Sequence, residues 1–193
     1  MDDVERIENG DLVLRIVQDD NVENPRTSWD NLATMVCWHP RYELGDIQVP
    51  RDQAQESHDE MVSEGDEVLP LYLYEHGGIT MSTSGFSCGW DSGQVGFIYV
   101  SKAKIIEEFG DDSEASRENV RTSMIGEVET FDQYLTGAVY GFIVERKTGC
   151  DSCGNVEMEH VDSCFGFYGH DWEASGLWDT LDPSWGFDSV VTA

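Results

Sequence analysis

Apolar residues in this chain come in short runs separated by polar, glycine-rich breaks, a rhythm of strands joined by tight connections. Leu12 to Val17 predicts a first strand, followed by the polar loop DDNVENPR. Leu32 to Trp38 predicts a second, halted by Pro40, which has no N–H to offer a continuing ladder. LPLYLYEH and ITMSTS read as two strands of a hairpin, with Gly77 and Gly78 between them to supply the positive φ of a tight turn. VGFIYV predicts a buried strand, and AVYGFIVERK another, turned at TGCDSCGN and returned by VEMEHVDS.

Helical spacing is confined to fewer segments. Lys102 to Phe109 predicts a short helix ended by Gly110. Val120, Met124, Val128, Phe131 and Leu135 recur at three and four residues, which places them on one stripe of a longer helix capped by Asp112 or Ser113 and stopped by Gly137. Residues 51–66 (RDQAQESHDEMVSEGD) hold only Met61 and Val62 as large apolar side chains, so a helix here is a solvated acidic face or a lid. The last stretch, DWEASGLWDTLDPSWGFDSVV, predicts a short helix and a docked tail, because Trp172, Trp178 and Trp185 are costly to leave in water. Together these elements predict an α+β fold: a single domain over residues 1–193, with a mainly antiparallel sheet of hairpins and two or three helices. No apolar run approaches the roughly 20 residues of a membrane helix. The start MDDVERIENG lacks the basic-then-apolar pattern of a signal peptide, and the expectation is a cytoplasmic protein.

Charge changes this picture most. Thirty-nine Asp and Glu against eleven Lys and Arg give a formal net charge of −28 in 193 residues. Such self-repulsion is tolerable where molar salt screens it, or where the surface is read by a basic partner as a nucleic-acid backbone. Only three of the basic residues are Lys (Lys102, Lys104, Lys147), and the acids are dispersed along the chain, which favours adaptation to high salt. A mimic of DNA would need its carboxylates on one face near the phosphate spacing. Six Trp, seven Tyr and eight Phe exclude the disorder that high charge otherwise signals. Without basic residues the Trp-rich C-terminal region cannot track a phosphate backbone, so direct nucleic-acid binding is not expected.

Three groups of residues carry candidate chemistry. Cys150 and Cys153, in CDSCG, have the spacing of half a zinc knuckle; a reducible thiol pair and a plain turn with spectator cysteines are the alternatives. Cys164 with His160 or His170 would complete the zinc site only if residues 155–163 bend back, since a straight strand carries Cys164 roughly 33 Å from the turn. Cys37 and His39 are the other close Cys and His. The glycine-spaced loop STSGFSCGWDSGQVG presents Cys88 or Ser92 as an exposed nucleophile with Asp91 beside it, and His76 or His39 as its base, or else is a wide hairpin connection. With so many acids, carboxylate pairs by themselves single out nothing, and no calcium-loop pattern occurs.

The segments WDNLATMVCWHPRYELGD, LPLYLYEHGGITMSTSGFSCGWDSGQVGFIYVS, VETFDQYLTGAVYGFIVE and DSCFGFYG together resemble an uncharacterised family of small proteins met in tailed phages and mobile elements of bacteria and archaea. The resemblance runs from about Trp29 to Gly169. It implies a viral or mobile-element origin, and with the low Lys content a salt-loving archaeal host, but it assigns no activity to Cys37, His39, His76, Cys88 or Asp91. The Cys150/Cys153 turn departs from the family pattern. Two classes of function follow. One is an accessory protein that offers an acidic face to a basic, nucleic-acid-binding host protein. The other is a small enzyme using the Cys88-to-Asp91 loop, with His76 or His39, on a polar substrate.

Overall fold

A computed structural model describes residues 3–149 and 156–187. The fold is α+β, and its strands form two sheets rather than one. The described residues gather into two compact units: those up to Val22 together with those from Gly137 onward form one, and Glu23–Thr136 form the other. None of the described helices is long and apolar enough to cross a membrane.

The first unit holds an antiparallel sheet of four strands in the order β1 (Asp3–Asn9), β2 (Leu12–Gln18), β8 (Val139–Gly149), β9 (Val156–Tyr168). Strand β1 was not legible in the sequence. Most of its side chains are exposed or half-buried, and it is held by ladder bonds to β2 and by ions, Arg15 pairing with Asp3 at 2.7 Å. One face of the sheet packs Leu14, Ile16, Phe142 and Val144 against Leu177, Leu181 and Phe187, with Trp172, Trp178 and Trp185 half-buried around them. That is the docked tail, carried by the single turn α5 (Leu177–Thr180) and a 3-10 turn at Pro183–Trp185. Strand β9 runs well past the predicted VEMEHVDS, with one extra residue at Val161 and another at Gly166, where φ is +91°. At Gly141 any Cβ would lie 2.2 Å from the ring of Phe165, which covers the glycine from the neighbouring strand.

The second unit holds a five-stranded sheet in the order β4 (Ile47–Gln48), β3 (Thr34–Cys37), β7 (Ser92–Val100), β5 (Glu67–Glu75), β6 (Ile79–Ser82), all antiparallel except β3 with β4. Alternation along the strands sorts two apolar faces. Met35, Leu71, Leu73, Ile98 and Val100 pack with Ile105 of α3 (Lys102–Phe109) and with the predicted stripe of α4 (Glu114–Thr136), of which Val120, Met124, Val128 and Phe131 are buried and Leu135 is half-buried. Val36 and Phe97 pack with Ala54 of α2 (Arg51–Glu64), and Trp38, Met61, Val68 and Tyr99 close around them. The acidic segment is therefore a helix with a single buried side chain, Ala54. A short turn, α1 (Pro25–Ser28), precedes β3. In the β5–β6 turn it is Gly77 alone, at φ +74°, that takes the left-handed region, and Gly78 does not. Gly96 is required for another reason, since a Cβ there would meet the Val36 carbonyl oxygen at 2.4 Å.

The cap of α4 is Ser113, whose hydroxyl accepts from the Ser116 N–H at 3.3 Å. Asp111 completes it, accepting from the Ser113 N–H at 3.0 Å and the Ser116 hydroxyl at 2.6 Å, and these bonds hold its carboxyl at about 2. A carboxyl depressed in the folded state stabilises the fold above its unfolded value near 4, and that contribution disappears as pH falls through about 2. Urea unfolding at a series of pH values is expected to show Asp111→Ala less stable than the parent above pH 4, with the gap closing across that window.

Candidate functional site

The predicted loop residues meet where β5 ends and β7 begins. The Glu75 N–H donates to the Asp91 carbonyl at 2.8 Å, one step beyond the Tyr74–Ser92 pair, so Glu75 and Asp91 are cross-strand neighbours. Asp91 Oδ2 lies 3.4 Å from His76 Nδ1 and 3.8 Å from Cys88 Sγ. The Ser92 hydroxyl donates to the Cys88 carbonyl at 2.5 Å, and Tyr74 stacks on His76 with ring centres 6.2 Å apart. Cys88, Asp91 and His76 are thus brought together. Their order is thiol, carboxylate, imidazole, whereas an activated nucleophile has its base between itself and the orienting acid. Ser92 spends its proton on a backbone carbonyl.

His39 belongs to a neighbouring cluster. Its Nδ1 accepts from the backbone N–H groups of Arg41 (3.3 Å) and Tyr42 (3.2 Å), which places the ring proton on Nε2, 3.9 Å from Glu75 Oε2. Burial, reinforced by the Arg41 charge, pushes its pKa below the usual histidine value against the pull of Glu75. The Nδ1 lone pair is taken by these two N–H groups and Nε2 carries the ring proton, which leaves His39 no free lone pair with which to act as a base. Glu75 Oε1 accepts from the Tyr42 hydroxyl at 3.0 Å and pairs with the Arg41 guanidinium, which lies 5.7 Å over the Tyr42 ring. A cleft of about 410 Å3 joins the two clusters, lined by His39, Arg41, Glu75, Trp90, Asp91 and Ser92 together with Leu73 and Val95. Glu75, Arg41 and Trp90 are the members that sequence reasoning passed over. The signal for Trp90 was its place among glycines, whereas nothing local marks Arg41 or Glu75.

The zinc half-site Cys150/Cys153 lies outside the described residues. Of its candidate complements, Cys164 pairs with Phe142 on the extended strand β9, eight residues and so at most about 26 Å beyond Val156. Cys37 is in the core, its thiol pushed up to about 12 by burial and then by Asp46. Among the described residues no group of three or more His, Cys, Asp and Glu is arranged to hold a metal ion.

The cations are distributed unevenly over the acids. Arg117 pairs with Glu67 (3.0 Å) and Asp112 (2.6 Å), Arg121 with Glu67, Glu114 and Glu118, and Lys102 with Asp112. Arg26 is buried against Asp46 and Glu127. In the first unit Arg6, Arg15, Arg146 and Lys147 are paired in the same way. Asp3 and Glu8 of β1, Glu114 and Glu118 of α4, and the part-buried Asp46 and Glu127 are therefore neutralised locally. On helix α2, Asp52, Glu56, Glu60 and Glu64 are exposed and four residues apart, and among the described residues no Lys or Arg forms an ion pair with them.

In comparisons with known proteins, no family model matched the chain, and neither a curated protein nor a solved structure did.

Proposed function

We propose that the protein is an accessory protein of a virus or mobile element that acts in the host cytoplasm by binding a basic, nucleic-acid-binding host protein through helix α2. The observation that carries this reading is the unneutralised acidic stripe. Asp52, Glu56, Glu60 and Glu64 make three like-charge pairs at i,i+4, each destabilising the helix by about 0.2–0.5 kcal/mol. A basic partner relieves that repulsion. Successive carboxylates rise about 6 Å along the axis. On one DNA strand the axial step is about 3.4 Å, so the stripe approximates alternate phosphates. In molar salt the Debye length falls to about 3 Å, and the contact then works at short range rather than by steering.

The test uses the protein immobilised beside a variant carrying Asp52→Asn, Glu56→Gln, Glu60→Gln and Glu64→Gln, each offered host proteins eluted from duplex DNA. Retention of a DNA-binding protein by the parent and its loss from the variant is the expected result. Equal retention on both, or none on either, removes the reading.

The enzymatic alternative is supported by the meeting of Cys88, Asp91 and His76, and is opposed by their order. It requires Cys88→Ala to abolish turnover of a polar substrate without loss of folding, and a phenotype that survives that change rules it out.

A further inference from the structure

Trp90 is 98% exposed, and the acidic stripe of α2 does not account for it. A bare indole is costly in water, and this one sits on a tip that is pinned on both sides. Ser92 bonds back to the Cys88 carbonyl at 2.5 Å, and the Glu75 N–H holds the Asp91 carbonyl at 2.8 Å. A preordered aromatic on a loop loses little entropy on contact, which is the condition for an interface anchor.

The charges of the cleft beside it restrict what it accepts. Arg41 is committed to Glu75, and the Nδ1 lone pair of His39 is taken by the Arg41 and Tyr42 N–H groups. Asp91 is the remaining carboxylate; it is 40% exposed, and among the described residues the one cationic group that pairs with it is His76, itself 72% exposed and charged only when protonated. An anion is repelled by this site and by the net charge of −28. An apolar group would bury a carboxylate without a partner. An ammonium group supplies charge but no flat face. A guanidinium supplies both, stacking on an indole and forking onto a carboxylate. Arg41, which lines the same cleft, already shows that combination, since its guanidinium pairs with Glu75 and lies over the Tyr42 ring.

We propose that the Trp90 and Asp91 side of this cleft receives an arginine side chain of the partner, stacked on the indole and paired with the carboxylate. The proposal rests on the acidic-surface reading for the sign of the partner, and it adds the residue type that the partner must present.

The probes are two octapeptides of equal charge, one alternating Gly with Arg and the other Gly with Lys, titrated into the full chain at about 0.1 M salt, where surface charges still act. Binding is read by calorimetry and by the Trp90 indole N–H resonance, assigned by its absence from Trp90→Ala. The expected result is that the Arg peptide moves this resonance and binds about tenfold tighter than the Lys peptide. Trp90→Ala and Asp91→Asn should each abolish that preference, with circular dichroism unchanged because Trp90 is exposed and Asn keeps the shape of the half-buried Asp91. Neutralising the four α2 acids should weaken both peptides alike and leave the preference intact. Equal affinity of the two peptides, or a preference that survives both cleft variants, overturns the proposal. If affinity still depends on α2 in that case, the acidic-surface reading stands without the cleft. If neither peptide binds the parent, both readings fall.

Discussion

Arg26→Ala is expected to lower the free energy of unfolding by about 3–5 kcal/mol, the cost of breaking a buried ion pair from one side. The Arg26 side chain is 1% exposed. Its guanidinium donates to both oxygens of Asp46 (3.0 and 2.5 Å), to Glu127 at 2.6 Å and to the Ala33 carbonyl at 2.8 Å. The acceptors are themselves bound. Glu127 Oε1 takes the N–H groups of Leu32 (2.8 Å) and Ala33 (3.1 Å), and Asp46 Oδ2 takes that of Met35 at 2.7 Å. Removing the cation leaves two carboxylates facing each other beside β3, with no countercharge and little water. A domain has a total stability of about 5–15 kcal/mol, so urea unfolding should place the variant near the edge of folding. Arg26→Lys should recover only part of the loss, because one ammonium cannot fork onto Asp46 while also reaching Glu127. A loss under 1 kcal/mol for Arg26→Ala would show that the network is not load-carrying for the fold.

Phe97→Ala is expected to cost a similar amount, about 3–5 kcal/mol, and to act on the proposed binding surface from within. Phe97 is 1% exposed and forms the floor under α2, with Trp38 6.5 Å and Tyr99 6.2 Å away and His58 of the helix edge-on at 5.5 Å. Helix α2 buries only Ala54, so it has few other apolar contacts to oppose the repulsion between its acids. With the ring gone, the helix should fray before the rest of the unit unfolds. The signature is loss of helical circular dichroism at low salt and its recovery as salt screens the stripe. Binding to a basic partner should weaken although no acid has been changed. Intact helicity combined with full binding in Phe97→Ala would separate the stripe from its support and count against this coupling.

Local periodicity accounts for most of what was legible beforehand. Helix α3 has the predicted bounds, and the stripe Val120, Met124, Val128, Phe131 is buried, because apolar side chains three and four residues apart must share a face. The β5–β6 hairpin followed from its turn glycines, and the tail from its tryptophans. In the candidate site the sequence brought forward Cys88, Asp91 and His76, which meet, together with His39, which does not join them. What stayed hidden depends on partners distant in the chain. Strand β1 has little apolar patterning, and β2 gives it a ladder and Arg15 an ion pair. Arg26 reads as one cation among eleven until Asp46 and Glu127, the latter 101 residues away, enclose it.

The same division holds for charge. The sequence by itself determined the excess of acid, the α+β class and the polar character of residues 51–66, since these follow from counts and from spacing within a few residues. Only the tertiary structure decided which carboxylates are neutralised and which face water uncompensated. It also placed Cys37 out of reach and Trp90 in the open. Those outcomes depend on distances of a few ångströms between strands and helices that the chain itself keeps far apart.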